Sequence, residues 1–400
     1  MNAAKLRTKY EHTIYACYLG YVTQAIINNF APLLFLTFQR SYDLTIDRIT
    51  LITTVNFLVQ LLVDFISAKM VDRIGYRVSA VCAHLFAGLG LIGMAFLPDM
   101  LGNAYTGLIV SVIFYAIGGG LIEVIISPIV EACPTEKKEA AMSLLHSFYC
   151  WGHVGVVLIS TAFFALAGIN NWKILSCLWA IIPLANLVYF TQVPIYPIVE
   201  GNNGLSIREL FSRRIFWLFL VLMVCAGASE QAMSQWSSAF AESGLKVSKT
   251  IGDLAGPLTF AALMGVARAL YGKYSDYIPL KKMMILSSML CIFSYLLATV
   301  PENAVLGFIG CAMCGFSVGI FWPGTFSIAA NRLPTGGTAM YAFMALAGDL
   351  GCSAGPTLVG FVADSNNGAL SAGLMAALLF PVMMLIGLMA LRRAKNMENI

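Results

Sequence analysis

The sequence predicts an all-α integral membrane protein, with twelve transmembrane helices in two pseudo-symmetric six-helix halves. Three observations carry that prediction. The 400 residues are 59% hydrophobic and 11% charged, with a mean hydropathy of +0.81, against roughly 45–50% and about 25% in soluble domains. Twelve runs are long enough to cross a bilayer core of ~30 Å, which takes about 20 mostly apolar residues. These runs fall six and six on either side of one long polar connection.

Eight runs contain no Asp, Glu, Lys or Arg: span 1 (12–39), span 3 (78–98), span 4 (100–122), span 5 (140–172), span 6 (174–199), span 9 (283–301), span 10 (303–331) and span 12 (365–391). Four more carry a charge in mid-run: span 2 (49–71) with Asp64, span 7 (214–241) with Glu230, span 8 (254–275) with Arg268, and span 11 (338–363) with Asp349, besides Lys69, Arg214 and Lys273 near their inner ends. Span 1 is too long for a signal-peptide core and runs into the polar Arg40 to Arg48 segment without a small-residue cleavage pattern, so it reads as a retained helix. The connection 196–214 carries Gly201-Asn202-Asn203-Gly204 and an amphipathic stretch from Ser206 to Arg214, and it separates an N-terminal half (1–195) from a C-terminal half (215–400). With the N-terminus inside, 18 of the 24 lysines and arginines lie in inner segments and 5 in outer loops, the remaining one being Arg268. Both termini are therefore expected in the cytoplasm, and the chain in the plasma (inner) membrane.

Composition also excludes other classes. A net charge of +4 spread over short loops forms no basic stripe for nucleic acid. Cys17, Cys82, Cys150, Cys177, Cys225, Cys291 and Cys352 lie in apolar runs, where thiols act as small hydrophobes and not as disulfide partners. Cys311-x-x-Cys314 has redox or zinc spacing but sits in an apolar stretch with no further Cys or His nearby, so neither a metal nor a cofactor is expected. No soluble domain is present in which His-x-x-Glu-His, Gly-x-Ser-x-Gly or a phosphate-binding glycine loop could support catalysis, which argues against an enzyme and against ATP-driven transport.

An internal repeat relates the halves. Ala68-x-x-x-Asp72-Arg73-Ile74-Gly75-Tyr76-Arg77 aligns with Gly272-x-x-x-Asp276-Tyr277-Ile278-Pro279-Leu280-Lys281 at an offset of 204. This turn resembles the signature loop of the major facilitator superfamily, with Ala68 where Gly is usual. A narrower resemblance is to the fucose permease branch of sugar:proton symporters. It rests on Asn28-Asn29-Phe30-x-Pro32-Leu33, Gly118-Gly119-Gly120-Leu121-Ile122-Glu123 with Pro128, Ser147-Phe148-x-x-x-Gly152, Phe321-Trp322-Pro323-x-x-Phe326-Ser327, Gly348-x-x-Gly351 to Pro356, and Gly360-x-x-x-Asp364. The resemblance implies the major facilitator fold and alternating access to a solute site near the bilayer midplane. It implies a small polar solute, a monosaccharide, moved with protons; the chain is expected to act as a monomer. Family symporters commonly carry Asn-Asp in span 1, whereas this chain has Asn28-Asn29, which leaves sugar uniport open. A proton-driven exporter of hydrophobic or cationic compounds is the rival reading.

Ionisable groups inside spans are functional candidates because they are expensive in hydrocarbon. Glu123 follows the Gly118 to Gly120 run and is the leading protonatable acid. Glu230, with Gln231, Ser234, Gln235 and Trp236, makes a polar and aromatic cluster in span 7 suited to a sugar. Tyr21, Gln24 and Asn28, with Asn29 beside them, form a polar stripe in span 1; Trp322 is the aromatic candidate of span 10. Solute contacts are accordingly expected from Gln24, Asn28, Asn29, Glu123, Glu230, Gln231, Gln235, Trp236 and Trp322. Glu123, Glu230, Asp349 and His153 are the proton-coupling candidates, with His146 and His84 behind them. Asp64 and Arg268 occupy equivalent repeat positions and, with Asp72, Arg73, Arg77, Glu131 and Asp276, are assigned to gating at the cytoplasmic mouth.

Overall fold

The computed structural model describes residues 9–135, 138–196, 205–274, 279–301, 303–333 and 336–397, without the side chains of 68, 69, 72, 131, 138–143, 272–274, 337–339 and 392–397. Asp72, Glu131 and Asp276 thus lie outside the described side chains. Among the described residues, twelve helical segments are long and apolar enough to cross a bilayer: Tyr10–Tyr42, Ile46–Ser67, Tyr76–Met100, Ala104–Val130, Leu144–Ala167, Ile169–Gln192, Arg214–Gly244, Lys249–Tyr271, Leu280–Thr299, Ala304–Arg332, Met340–Ser365 and Leu370–Leu391. They are spans 1 to 12. Large apolar side chains such as Phe65 (67% exposed) and Leu166 (90%) point outward, as a lipid-facing surface requires and a soluble protein would avoid.

The helix ends have local causes. Asn103 caps span 4 by accepting from the Thr106 N–H at 3.1 Å, and Asn303 caps span 10 by accepting from Val305 and Leu306 at 2.9 and 3.2 Å. Between the halves, Ser206 and Glu209 form a reciprocal capping box that starts the short helix Ile207–Ser212, whose Leu210 is fully buried. This is the amphipathic stretch expected after Gly204.

Several spans are interrupted. Span 1 breaks at Pro32, where a tight 3₁₀ turn, Ala31–Leu34, separates helices Tyr10–Asn29 and Phe35–Tyr42. Span 10 breaks between Val318 and Phe321. Spans 7 and 8 each contain one wide turn, Phe240–Gly244 and Leu254–Leu258, the second holding Pro257. Such interruptions free backbone groups that neighbouring side chains then satisfy.

The chain divides into two compact units, Met1–Glu200 and Gly201–Ile400. In the first, span 3 packs along spans 4 and 6, span 2 along span 4, and span 1 along spans 4, 5 and 6. In the second, span 7 packs along spans 11 and 12, and span 10 along spans 8 and 9. The span 7 and span 11 backbones nearly touch. A Cβ on Gly227 would stand 2.1 Å from the Gly348 carbonyl, and one on Gly348 would stand 2.2 Å from the Trp322 ring, so neither position tolerates a side chain.

Candidate functional site

Spans 1, 2 and 4 build a polar cluster in the N-terminal half. Gln24 and Asn28 lie one turn apart on span 1, and Asn56 and Gln60 one turn apart on span 2; all four are buried. Gln24 Nε2 donates to Gln60 Oε1 at 2.8 Å and to Glu123 Oε2 at 3.3 Å. Gln60 Nε2 donates to Asn28 Oδ1 and to Asn56 Oδ1, both at 2.9 Å, and Asn56 Nδ2 donates to Asn28 Oδ1 at 3.1 Å. Gly119 makes room for this chain, since a Cβ there would stand 3.1 Å from both Gln24 Oε1 and Gln60 Oε1. Asp64 follows Gln60 by one turn, and its carboxylate lies within 4.8 Å of that of Glu123. The helix carrying Asp64 continues to Ile74, about 15 Å of rise further on. Asp64 therefore lies beside Glu123, ten residues before the end of its own helix.

Asn29 faces elsewhere, donating to Ala25 O at 2.9 Å and to Tyr149 Oη of span 5 at 3.5 Å. Tyr21 lies edge-on to His146 and meets Ser127 Oγ at 3.3 Å. His153 is buried in span 5. His84 uses both ring nitrogens, with Nδ1 against Ala80 O at 2.8 Å and Nε2 against Asn186 Nδ2 at 2.8 Å, and so ties span 3 to span 6. Arg77 donates to Phe190 O at 2.7 Å, closing the end of span 3 on span 6, while Arg73 is exposed.

The C-terminal half holds a cluster of different chemistry. Gln235 Nε2 donates to Gln231 Oε1 at 3.1 Å, and Gln231 Nε2 to Glu230 Oε1 at 3.4 Å. Arg268 of span 8 lies 3.7 Å from Glu230 Oε2 and donates from Nε to Gly319 O at 3.2 Å, at the break in span 10. Repeat spacing set Arg268 at the cytoplasmic mouth. The structure brings it to Glu230, where one guanidinium faces the carboxylate and satisfies a carbonyl freed by the broken helix. Trp236 is buried and donates from Nε1 to Pro356 O at 2.9 Å, pinning span 7 to span 11. The Trp322 ring packs on Gly348, next to the buried Asp349.

Sequence reasoning passed over three groups. Asn56 and Gln60 sit in a run of Thr53, Asn56, Gln60, Asp64 and Ser67, spaced three or four apart on one helix face, which was the available signal. Asp253, just before the charge-free part of span 8, is fully buried and accepts from Ser238 Oγ and from Lys249 Nζ at 3.2 Å. Asn186 anchors span 6 through Ala16 O at 3.0 Å. Among the described residues no cysteine is in a disulfide, and Cys311 Sγ lies against Met233 Sδ at 3.5 Å.

Comparison with known proteins completes the picture. The sequence profile of the Major Facilitator Superfamily matches residues 17–356. The chain belongs to the major facilitator superfamily. Its members are transporters, so this chain is a multi-pass membrane transporter and not an enzyme. Among solved structures, a bacterial homolog of the human lysosomal transporter Spinster, in an inward-facing and occupied conformation, is 14% identical at a TM-score of 0.75, covering 96% of this chain and 98% of that one. The E. coli fucose:proton symporter FucP is 14% identical at a TM-score of 0.65, covering 94% and 97%. A D-xylose-proton symporter is 13% identical at 0.75, covering 94% and 95%. At such identities the likeness speaks to fold alone. No curated protein matches by sequence.

Proposed function

We propose that this transporter moves a small polar solute, a monosaccharide, together with protons by alternating access, as a monomer in the plasma membrane with both termini cytoplasmic. The observation that carries the reading is the N-terminal cluster: four buried amides hydrogen-bonded to one another and to Glu123. Amides and carboxylates match the mixed donor and acceptor character of sugar hydroxyls, and Glu123 is the acid that binds the proton. The solved sugar:proton symporters of the same fold support this reading.

Thermal-shift measurement of the purified protein tests it, against L-fucose, D-xylose, D-glucose and tetraphenylphosphonium at acidic and mildly alkaline pH. Stabilisation by one sugar, pH-dependent in the parent and flat in Glu123→Gln, is the expected result. A sugar shift indifferent to pH in the parent points to uniport. One observation favours export of a cationic compound as the second reading: the Asp64 and Glu123 carboxylates, within 4.8 Å of each other, suit a positive charge. Stabilisation by tetraphenylphosphonium alone decides for it.

A further inference from the structure

The amide chain of the N-terminal half has a direction that is set at one end. An ionised carboxylate only accepts hydrogen bonds, so Glu123 Oε2 draws Gln24 Nε2 toward it. The same nitrogen donates to Gln60 Oε1, which turns Gln60 Nε2 toward Asn28 Oδ1 and Asn56 Oδ1. The placement of oxygen and nitrogen from Gln24 to Asn28 therefore follows from the state of one carboxyl group. One atom is left over. Gln24 Oε1 is buried and makes no hydrogen bond. A buried acceptor without a donor is destabilising, and a proton on Glu123 would supply one once the Gln24 amide turned.

We propose that Gln60 and Asn56 are positioning residues that carry the protonation state of Glu123 to Asn28. When a proton from the aqueous phase forms an O–H bond on Glu123, that O–H donates to Gln24 and the Gln24 amide turns its oxygen to face the acid. Gln60 turns in response and donates to that oxygen. Asn28 and Asn56 then turn their nitrogens to Gln60 Oε1. Asn28 exchanges the positions of its donor and acceptor, so the solute hydroxyls meet a different partner in the two states. The chain links proton to solute without an acid at Asn28 or Asn29. This inference rests on the proton-coupled reading above.

Within this half, the ionisable groups on the spans packed against span 4 are known. Span 2 brings Asp64, within 4.8 Å. Span 5 brings the buried His153, and His146 against Tyr21, whose hydroxyl meets Ser127 one turn beyond Glu123. Span 3 brings His84, held between Ala80 and Asn186. Span 1 brings amides and, between 12 and 39, no Asp, Glu, Lys or Arg.

Side-chain amide NMR of the purified protein, labelled with ¹⁵N at Asn and Gln only, tests the chain directly. The Asn28 amide, assigned by its loss in Asn28→Leu, is followed as pH is raised from acid to alkaline. The expected result is a pH-dependent displacement in the parent and in Asp64→Asn that vanishes in Glu123→Gln and in Gln60→Met. Gln60→Leu, which neither accepts from Gln24 nor donates onward, makes the same cut if Gln60→Met fails to fold. An Asn28 signal that is stationary in the parent, still moves in the folded Gln60 variant, or stops in Asp64→Asn while persisting in Glu123→Gln overturns the proposal. The readout needs no solute, so failure of every sugar to bind would sink the proposed function and leave this inference to stand or fall on its own spectrum.

Discussion

The two halves share six spans and a repeated turn, yet they surround their central acids with opposite chemistry. Glu123 in the N-terminal half is met by the Gln24 amide and has Asp64 for a neighbour. Glu230 in the C-terminal half is met by the Arg268 guanidinium at 3.7 Å. Glu230 is thus paired with a fixed cation, whereas Glu123 stands among neutral amides beside a second acid. On that contrast we propose proton binding at Glu123 and a structural ion pair at Glu230, although sequence alone made both acids candidates.

Breaking the ion pair should have the largest effect. Arg268→Leu leaves Glu230 buried without its counter-ion and frees Gly319 O, and should destabilise the protein by about 3 kcal/mol. The double variant Arg268→Leu with Glu230→Gln should recover much of that loss, as thermal unfolding in detergent would reveal. A recovery of nothing would mean that the carbonyl contact, not the charge, is what Arg268 supplies. Next come paired alanine substitutions at glycines. Gly227→Ala forces a Cβ toward the Gly348 carbonyl and should cost about 2 kcal/mol by pushing spans 7 and 11 apart. Gly119→Ala meets only side-chain amides, at 3.1 Å, and should cost about 1 kcal/mol while weakening ligand-induced stabilisation disproportionately. Equal losses of stability with no difference in ligand response would erase the contrast drawn between a packed seam and a polar site.

The smallest effect lies in the connection between the halves. Hydrogen bonds from Ser206 hold the Glu209 carboxyl below the usual carboxylate range. Because the folded-state value is the lower one, the contribution of these bonds is present above the unfolded-state value and fades as pH falls through the folded-state value. Protection factors of the amides of 207–212, corrected for the intrinsic pH dependence of exchange, should fall on acidification, and Glu209→Gln should lower them at neutral pH. Exchange indifferent to both changes would show that buried Leu210, and not the cap, holds the helix.

Much of this was legible before any coordinates. Charge-free runs locate the spans because a bilayer tolerates few unpaired charges, and the stripe of Gln24 and Asn28 is visible at helical spacing. Ser206 and Glu209 announce their capping box by spacing alone. What sequence could not supply is which spans are neighbours. The contact of Arg268 with Glu230 joins spans 7 and 8, and that of Asn186 with His84 joins spans 3 and 6; helical periodicity is silent on both. Repeat alignment grouped Asp64 and Arg268 with the turn that follows and could not show the polar clusters in which they also take part. Asn56 and Gln60 escaped notice because uncharged amides leave an apolar run unbroken.

Proton-driven uptake into proteoliposomes is the most direct test of the central claim. The protein is reconstituted, an inward proton gradient is imposed, and accumulation of the sugar that gave the largest thermal shift is followed. The parent should concentrate the sugar, Glu123→Gln should only equilibrate it, and Glu230→Gln should still concentrate it, though with weaker binding. Accumulation that survives in Glu123→Gln and disappears in Glu230→Gln would contradict the account by moving the proton to the other half.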